Sequence, residues 1–288
     1  MNPLISKDEL YKGYAAVVAT SLLWSFGGLF IKLIPWSALS INAARCMIAL
    51  ILKTAVRKSV RIKWSRSVII AGLCLAATTI LFSYANKLTT AANAILLQYS
   101  APFFVMLFAL IFQKKRPSGF DMLTSVAIVG GIALCFFDNL EAGGMAGNIC
   151  GVLAGMTFAM MLFVNAMPES DPDSANYLGL LVCSVVGLPS LVQEREFGGL
   201  TLLWIVLLGA FQLGLSYIFL EYGIKRVSAL SVTFLTAIEP IMNPIWVAIF
   251  YGERVGPLAF AGGALVLAAS LVYAAVNARR ATRISVKS

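Results

Sequence analysis

The chain contains no histidine. That absence excludes general-base catalysis by imidazole, zinc sites of the HExxH kind and histidine proton relays. Charge is scarce too. Asp, Glu, Lys and Arg make up 12% of 288 residues, against 60% hydrophobic ones. A water-soluble domain is about one-quarter charged, so this chain has more apolar side chain than one soluble core could hide. CxxC pairs are also missing. Cys46, Cys74, Cys135, Cys150 and Cys183 each lie inside an apolar run and are expected as small packing residues, not disulfides or metal ligands. With no histidine and no paired carboxylates inside a span, a membrane enzyme lacks a catalytic constellation, and no cofactor or metal is expected. The net charge of +9 sits in short clusters between apolar runs. That is a topology signal and not a nucleic-acid footprint.

What is present is a succession of long apolar runs. A membrane span needs about 20 apolar residues. Ten are expected, near 13–34, 37–57, 66–87, 91–112, 118–137, 145–167, 174–193, 201–224, 228–250 and 256–277. All must be helical, because lipid offers the backbone no hydrogen-bond partners. The short connections imply antiparallel neighbours and leave no room for a soluble domain. The first dozen residues, MNPLISKDELYK, are polar, and the run after them is long enough to span, unlike a cleavable leader.

With the N-terminus placed inside, sixteen Lys and Arg residues fall on that side: Lys7, Lys12, Arg57, Lys58, Arg61, Lys63, Arg66, Lys114, Lys115, Arg116, Lys225, Arg226, Arg279, Arg280, Arg283 and Lys287. Four fall outside, namely Lys32, Lys87, Arg195 and Arg254, while Arg45 and Lys53 lie within a span. The bias puts both termini in the cytoplasm.

Displacing the chain by 138 residues lays 84–116 over 222–254 without a gap, and 8 of 33 positions match, among them Tyr84/Tyr222, Pro102/Pro240 and Arg116/Arg254. IVGGIAL (128–134) and FAGGALV (260–266) echo each other on the fifth and tenth spans. Five spans per repeat is an odd number, so the second copy enters the membrane inverted. Inverted repeats around a midplane site are the architecture of secondary transporters. The expected fold is therefore an all-α integral membrane protein of ten transmembrane helices in two inverted five-helix repeats, 13–137 and 145–277, with cytoplasmic tails 1–12 and 278–288.

Three stretches carry a family resemblance: LLWSFGGLFIK (22–32), NAARCMIAL (42–50) and AIEPIMNPIWVAIFYGER (237–254). They resemble the drug/metabolite transporter superfamily in its ten-helix form with two EamA-type domains, and QYSAP (98–102) is similar to the fourth helix of its aromatic amino acid exporter branch. The resemblance covers nearly the whole chain. It implies an exporter in the inner (plasma) membrane whose partners are the lipid bilayer and a small metabolite, most readily an amino acid; a multidrug or hydrophobic-cation exporter is the alternative. A channel or structural membrane protein is the alternative of another class. Two departures stand out. The first repeat has Ala101-Pro102 where the second has Glu239-Pro240, and it ends QKKR where the second ends YGER.

Pro102 and Pro240 each fall about 11 residues into their spans, roughly 16 Å deep at ~1.5 Å per residue. Each frees the carbonyl four residues earlier, of Gln98 and Thr236, and marks a kink or hinge. Glu239 is the one carboxylate deep in a span. A charge there costs at least ~2.5 kcal/mol, so it is protonated, paired with Arg45 or polar neighbours, or turned toward a watery cavity to meet a substrate ammonium or exchange a proton. Trp24, Thr78, Tyr84, Gln98, Tyr99, Phe158, Tyr217 and Trp246 are the remaining candidates for substrate contact; for each of them packing or lipid exposure is the competing role. Gly147, Gly151 and Gly155 share one helix face and invite close helix contact.

Overall fold

A computed structural model describes residues 7–57, 62–114, 116–138, 142–165, 167, 169–224, 226–227, 232 and 235–285. Every regular element among them is helical. The first apolar run forms α1 (Lys7–Ser25) and α2 (Gly27–Leu33), and the next two form α3 (Ala38–Arg57) and α4 (Arg66–Leu88). Then come α5 (Ala91–Gln98) with α6 (Ala101–Gln113), α7 (Gly119–Asp138), α8 (Ala142–Asn165) and α9 (Pro172–Leu191). The eighth run is α10 (Gly199–Val206), a π-helical stretch (Leu207–Leu215) and α11 (Ser216–Ile224); α12 (Ile238–Tyr251) and α13 (Pro257–Ser285) complete the chain. Seven of these helical segments are long and apolar enough to cross a membrane, and Gly119–Leu134 and Pro257–Tyr273 are shorter apolar helices. The expected tails are partly helical, since α1 starts at Lys7 and α13 runs to Ser285. Residues 228–231, at the expected start of the ninth span, lie outside the described residues, as does Lys225 of the repeat alignment.

Local sequence sets the helix ends. Ser65 caps α4 by accepting from the Val68 amide at 3.1 Å, and Thr90 caps α5 by accepting from Asn93 at 3.1 Å. Asp171 caps α9 ahead of Pro172. At the far end of α12, Gly252 holds a left-handed φ of 76°, the helix-ending conformation that glycine adopts without Cβ strain. Lys114 ends α6 in the same conformation with φ 54°.

Two interruptions differ in kind from simple kinks. The fourth run stops at Gln98, turns through Tyr99 and Ser100, and restarts at Ala101. The ninth turns at Ala237 and restarts at Ile238. Pro102 and Pro240 thus stand in the first turn of new helices, where a missing N–H breaks no intrahelical bond. The first run also breaks, at Phe26.

Packing follows a regular plan. α4 lies against α8 and α9, α3 against α9 and the π-helical stretch, α1 against α11 and α12, α5 and α6 against α8, and α7 against α13. The glycine face of α8 seats the turn between α5 and α6: a methyl group at Gly155 would stand 2.6 Å from Ser100 Oγ and 2.9 Å from the Gln98 carbonyl oxygen. One apolar cluster joins Ile31, Ile41, Phe82, Ile95, Ala154 and Leu208 at the centre of this assembly.

Candidate functional site

The break in the ninth run exposes the Thr236 carbonyl that Pro240 cannot engage, and two hydroxyls meet it. Ser21 Oγ on α1 donates to it at 3.1 Å, and Tyr99 Oη, on the broken turn of the fourth run, donates at 3.1 Å. Ser21 Oγ also accepts from the Glu239 amide at 3.0 Å. The Ser270 hydroxyl donates to the Tyr99 carbonyl at 2.9 Å. Both broken turns therefore meet at one place, tied by side chains from α1 and α13.

The Glu239 side chain, half-buried, lies beside the Tyr99 hydroxyl and within electrostatic reach of Tyr217. Tyr217 packs edge-on against Trp24, with ring centroids 5.8 Å apart at 66°. The Trp24 indole N–H donates to Ser216 Oγ at 2.8 Å, and Thr20 donates to the Ser216 carbonyl at 3.1 Å. Four of the expected residues, Trp24, Tyr99, Tyr217 and Glu239, thus form one cluster of three aromatic rings and one carboxyl group. Trp246 sits on the neighbouring stretch of α12, where its N–H donates to Ser25 Oγ at 3.0 Å and its ring stacks on Phe26 at 5.0 Å, the residue at the break of the first run.

The other candidates lie elsewhere. Thr78 Oγ1 shares a 2.8 Å hydrogen bond with Thr157, between α4 and α8. Phe158 packs with Val68, Phe108 and Phe163 in a separate apolar cluster. Tyr84 is 37% exposed on the outer side of α4. Gln98 ends α5, its carbonyl against Gly155. Nor are Glu239 and Arg45 joined by an ion pair among the described residues. Arg45, 2% exposed, bonds instead to Asn42 Oδ1 and the Thr79 carbonyl.

Several participants carry no obvious mark in the sequence. Ser21 holds the broken ninth run, yet a serine in an apolar helix is unremarkable. Its signal is positional, since Thr20, Ser21, Trp24 and Ser25 share a face of α1 at i, i+1, i+4 and i+5. Asn243, 0% exposed, and Gln212, 7% exposed, are buried amides on α12 and the π-helical stretch.

At the end of the bundle away from the termini, the YGER stretch forms a tie. Glu253 Oε2 pairs with Lys32 Nζ at 3.0 Å, and Oε1 accepts from the Ala91 amide at 2.6 Å, at the start of α5. Both side chains are about one-eighth exposed, at 12% and 13%. Lys32 also donates to the Thr89 carbonyl at 2.8 Å. The glycine before Glu253 turns the chain so that its carboxylate faces back onto the bundle. At the opposite end a small cavity of about 60 Å³ lies between α3, α9 and α11, lined by Lys53, Asn176 and Tyr217 among others.

Apolar helices broken in pairs around a half-buried carboxyl group define a multi-pass membrane protein of the transporter class. The chain belongs to the EamA-like transporter family, whose model matches twice, over residues 11–137 and 145–275. Among its relatives are an uncharacterized transporter of Bacillus subtilis, YwfM, 25% identical over 96% of this chain and 97% of the other, and human solute carrier family 35 member G1, 28% identical over 92% and 79%. One crystal structure, 16% identical, superposes with a TM-score of 0.63 over 94% of this chain and 98% of its own. At that identity the likeness is one of fold.

Proposed function

We propose that this transporter works by alternating access between two inverted five-helix repeats, 13–137 and 145–277, and exports amino acids, aromatic and hydrophobic ones included, across the inner membrane. The observation that carries the reading is the cluster of Trp24, Tyr99, Tyr217 and Glu239 around the paired backbone breaks. Its rings suit a bulky apolar side chain, and its one carboxyl group suits an ammonium. A hydrophobic cation would meet the same groups, and that is the second reading.

Ten crossings in inverted repeats are supported by the packing plan. Exchanging each of the first five runs with the run five places on turns the α4–α8 contact into α11–α1, α4–α9 into the π-helical stretch with α3, and the α5/α6–α8 contacts into α12–α1. The α7–α13 and α3–α9 contacts map onto themselves. Lys114 and Gly252, the two left-handed helix ends, are also 138 residues apart.

Counterflow in proteoliposomes tests the function. Saturable exchange of labelled amino acid for unlabelled supports a carrier, and non-saturating flux points to a channel. Glu239→Gln is expected to insert normally and to lower the exchange rate at least tenfold. Unchanged exchange at every pH tested would remove Glu239 from both ammonium binding and proton coupling.

A further inference from the structure

The guanidinium of Arg45 is almost fully buried on α3, at 2% exposure. Its Nε and Nη2 donate to Asn42 Oδ1 at 3.1 and 2.9 Å, and Nη2 donates to the Thr79 carbonyl at 3.0 Å. All these acceptors are neutral, and among the described residues no carboxylate forms an ion pair with Arg45. None of these hydrogen bonds reaches a charged acceptor, and the Cys46 thiol lies close by.

Asn42 deepens the imbalance. Its Oδ1 already serves Arg45 and takes the Ser83 hydroxyl at 3.4 Å, which fixes the amide orientation and turns Nδ2 away, unpartnered and wholly buried. The neighbouring thiols of Cys46 and Cys183 are weak hydrogen-bond acceptors. A permanent cation with no carboxylate partner among the described residues, in an apolar interior, is a site with one half missing. A planar fork of N–H groups matches a carboxylate in shape and charge, and one guanidinium balances one carboxylate without remainder.

The position fits a ligand as well. One turn along α3, Ala49 lines the cavity that Tyr217 also lines. Tyr217 lies within electrostatic reach of both Arg45 and Glu239. The cation and the carboxyl group thus share one aromatic neighbour within electrostatic reach.

We propose that Arg45, braced by Asn42, is the carboxylate-recognition residue of the transport path, so that the substrates of this protein carry a carboxylate. The inference rests on the transporter reading above and narrows it, favouring zwitterions over hydrophobic cations.

The test compares four probes on the purified full-length protein in detergent: L-phenylalanine, its methyl ester, 3-phenylpropanoate and acetate. The three carboxylates are expected to raise the thermal unfolding midpoint, and the ester to leave it unmoved at the same concentration. Arg45→Lys, which keeps the charge but loses the fork, is expected to need at least tenfold more carboxylate for the half-maximal shift. An ester that stabilises as well as the acid, or carboxylates that leave the wild-type midpoint unmoved, overturns the proposal, and neither result depends on a variant that folds. Counterflow with the same probes separates the two readings. Exchange with no preference for the acid keeps the transporter and sinks the carboxylate receptor. Carboxylate-dependent stabilisation without exchange of any probe keeps Arg45 as a binding residue and sinks amino-acid transport.

Discussion

Two single positions show how far a duplicated backbone can outlast its side chains. Residues 114 and 252, at the same place in the two halves of the alignment, both adopt a left-handed φ, of 54° and 76°. One is lysine and the other glycine. Non-glycine residues in that region strain Cβ against the backbone by about 1 kcal/mol. Lys114→Gly is therefore expected to stabilise the protein by about 1 kcal/mol, and Gly252→Ala to destabilise it by about as much, read as opposite shifts of the unfolding midpoint in detergent. Gly252→Ala should also misdirect Glu253, the next residue, away from Lys32. The glycine of YGER was legible as a motif, whereas the strain at Lys114 was not. Lysine is an ordinary residue at a helix end, and nothing in its identity reports its φ.

At the scale of elements, composition alone marked most of the helices. Apolar runs in lipid have no alternative to helix, so the expected spans near 66–87 and 174–193 differ from α4 (Arg66–Leu88) and α9 (Pro172–Leu191) by at most two residues at either end. The interruptions were legible where proline announced them and invisible elsewhere. The break at Phe26 lies in a run read as one span, because Gly27 and Gly28 are compatible with an intact helix. The π-helical stretch 207–215 had even less to announce it, since its ring geometry depends on what packs against it. Of the expected contact residues, Trp24, Tyr99, Tyr217 and Glu239 came together, while Thr78, Tyr84 and Phe158 did not. Depth in a span was readable, but the direction of a side chain around the helix was not.

Ser21 is the element-scale test. It donates to one end of the broken ninth run and accepts from the other. Ser21→Ala leaves the Glu239 amide unpaired and the Thr236 carbonyl with one donor fewer, at an expected cost of about 1–3 kcal/mol. A midpoint equal to wild type would show that the break needs no support from α1.

At the scale of the whole molecule, the Lys32–Glu253 pair ties the first run to the chain after α12 at the end of the bundle away from the termini, and a cavity lies at the other end. Lys32→Gln is expected to raise the rate at which a cysteine placed at Thr90 reacts with a membrane-impermeant maleimide, by severalfold at low salt. Equal rates would mean that the tie is incidental to closure. In the other repeat the position of Glu253 is held by Lys115, a residue outside the described ones. Two identical inverted halves would make the inward- and outward-facing states degenerate, each the mirror of the other in energy. One reversed charge lifts that degeneracy. The resting side of such a carrier then follows from differences between its two copies, and a partly exposed ion pair such as Lys32–Glu253 makes it respond to ionic strength.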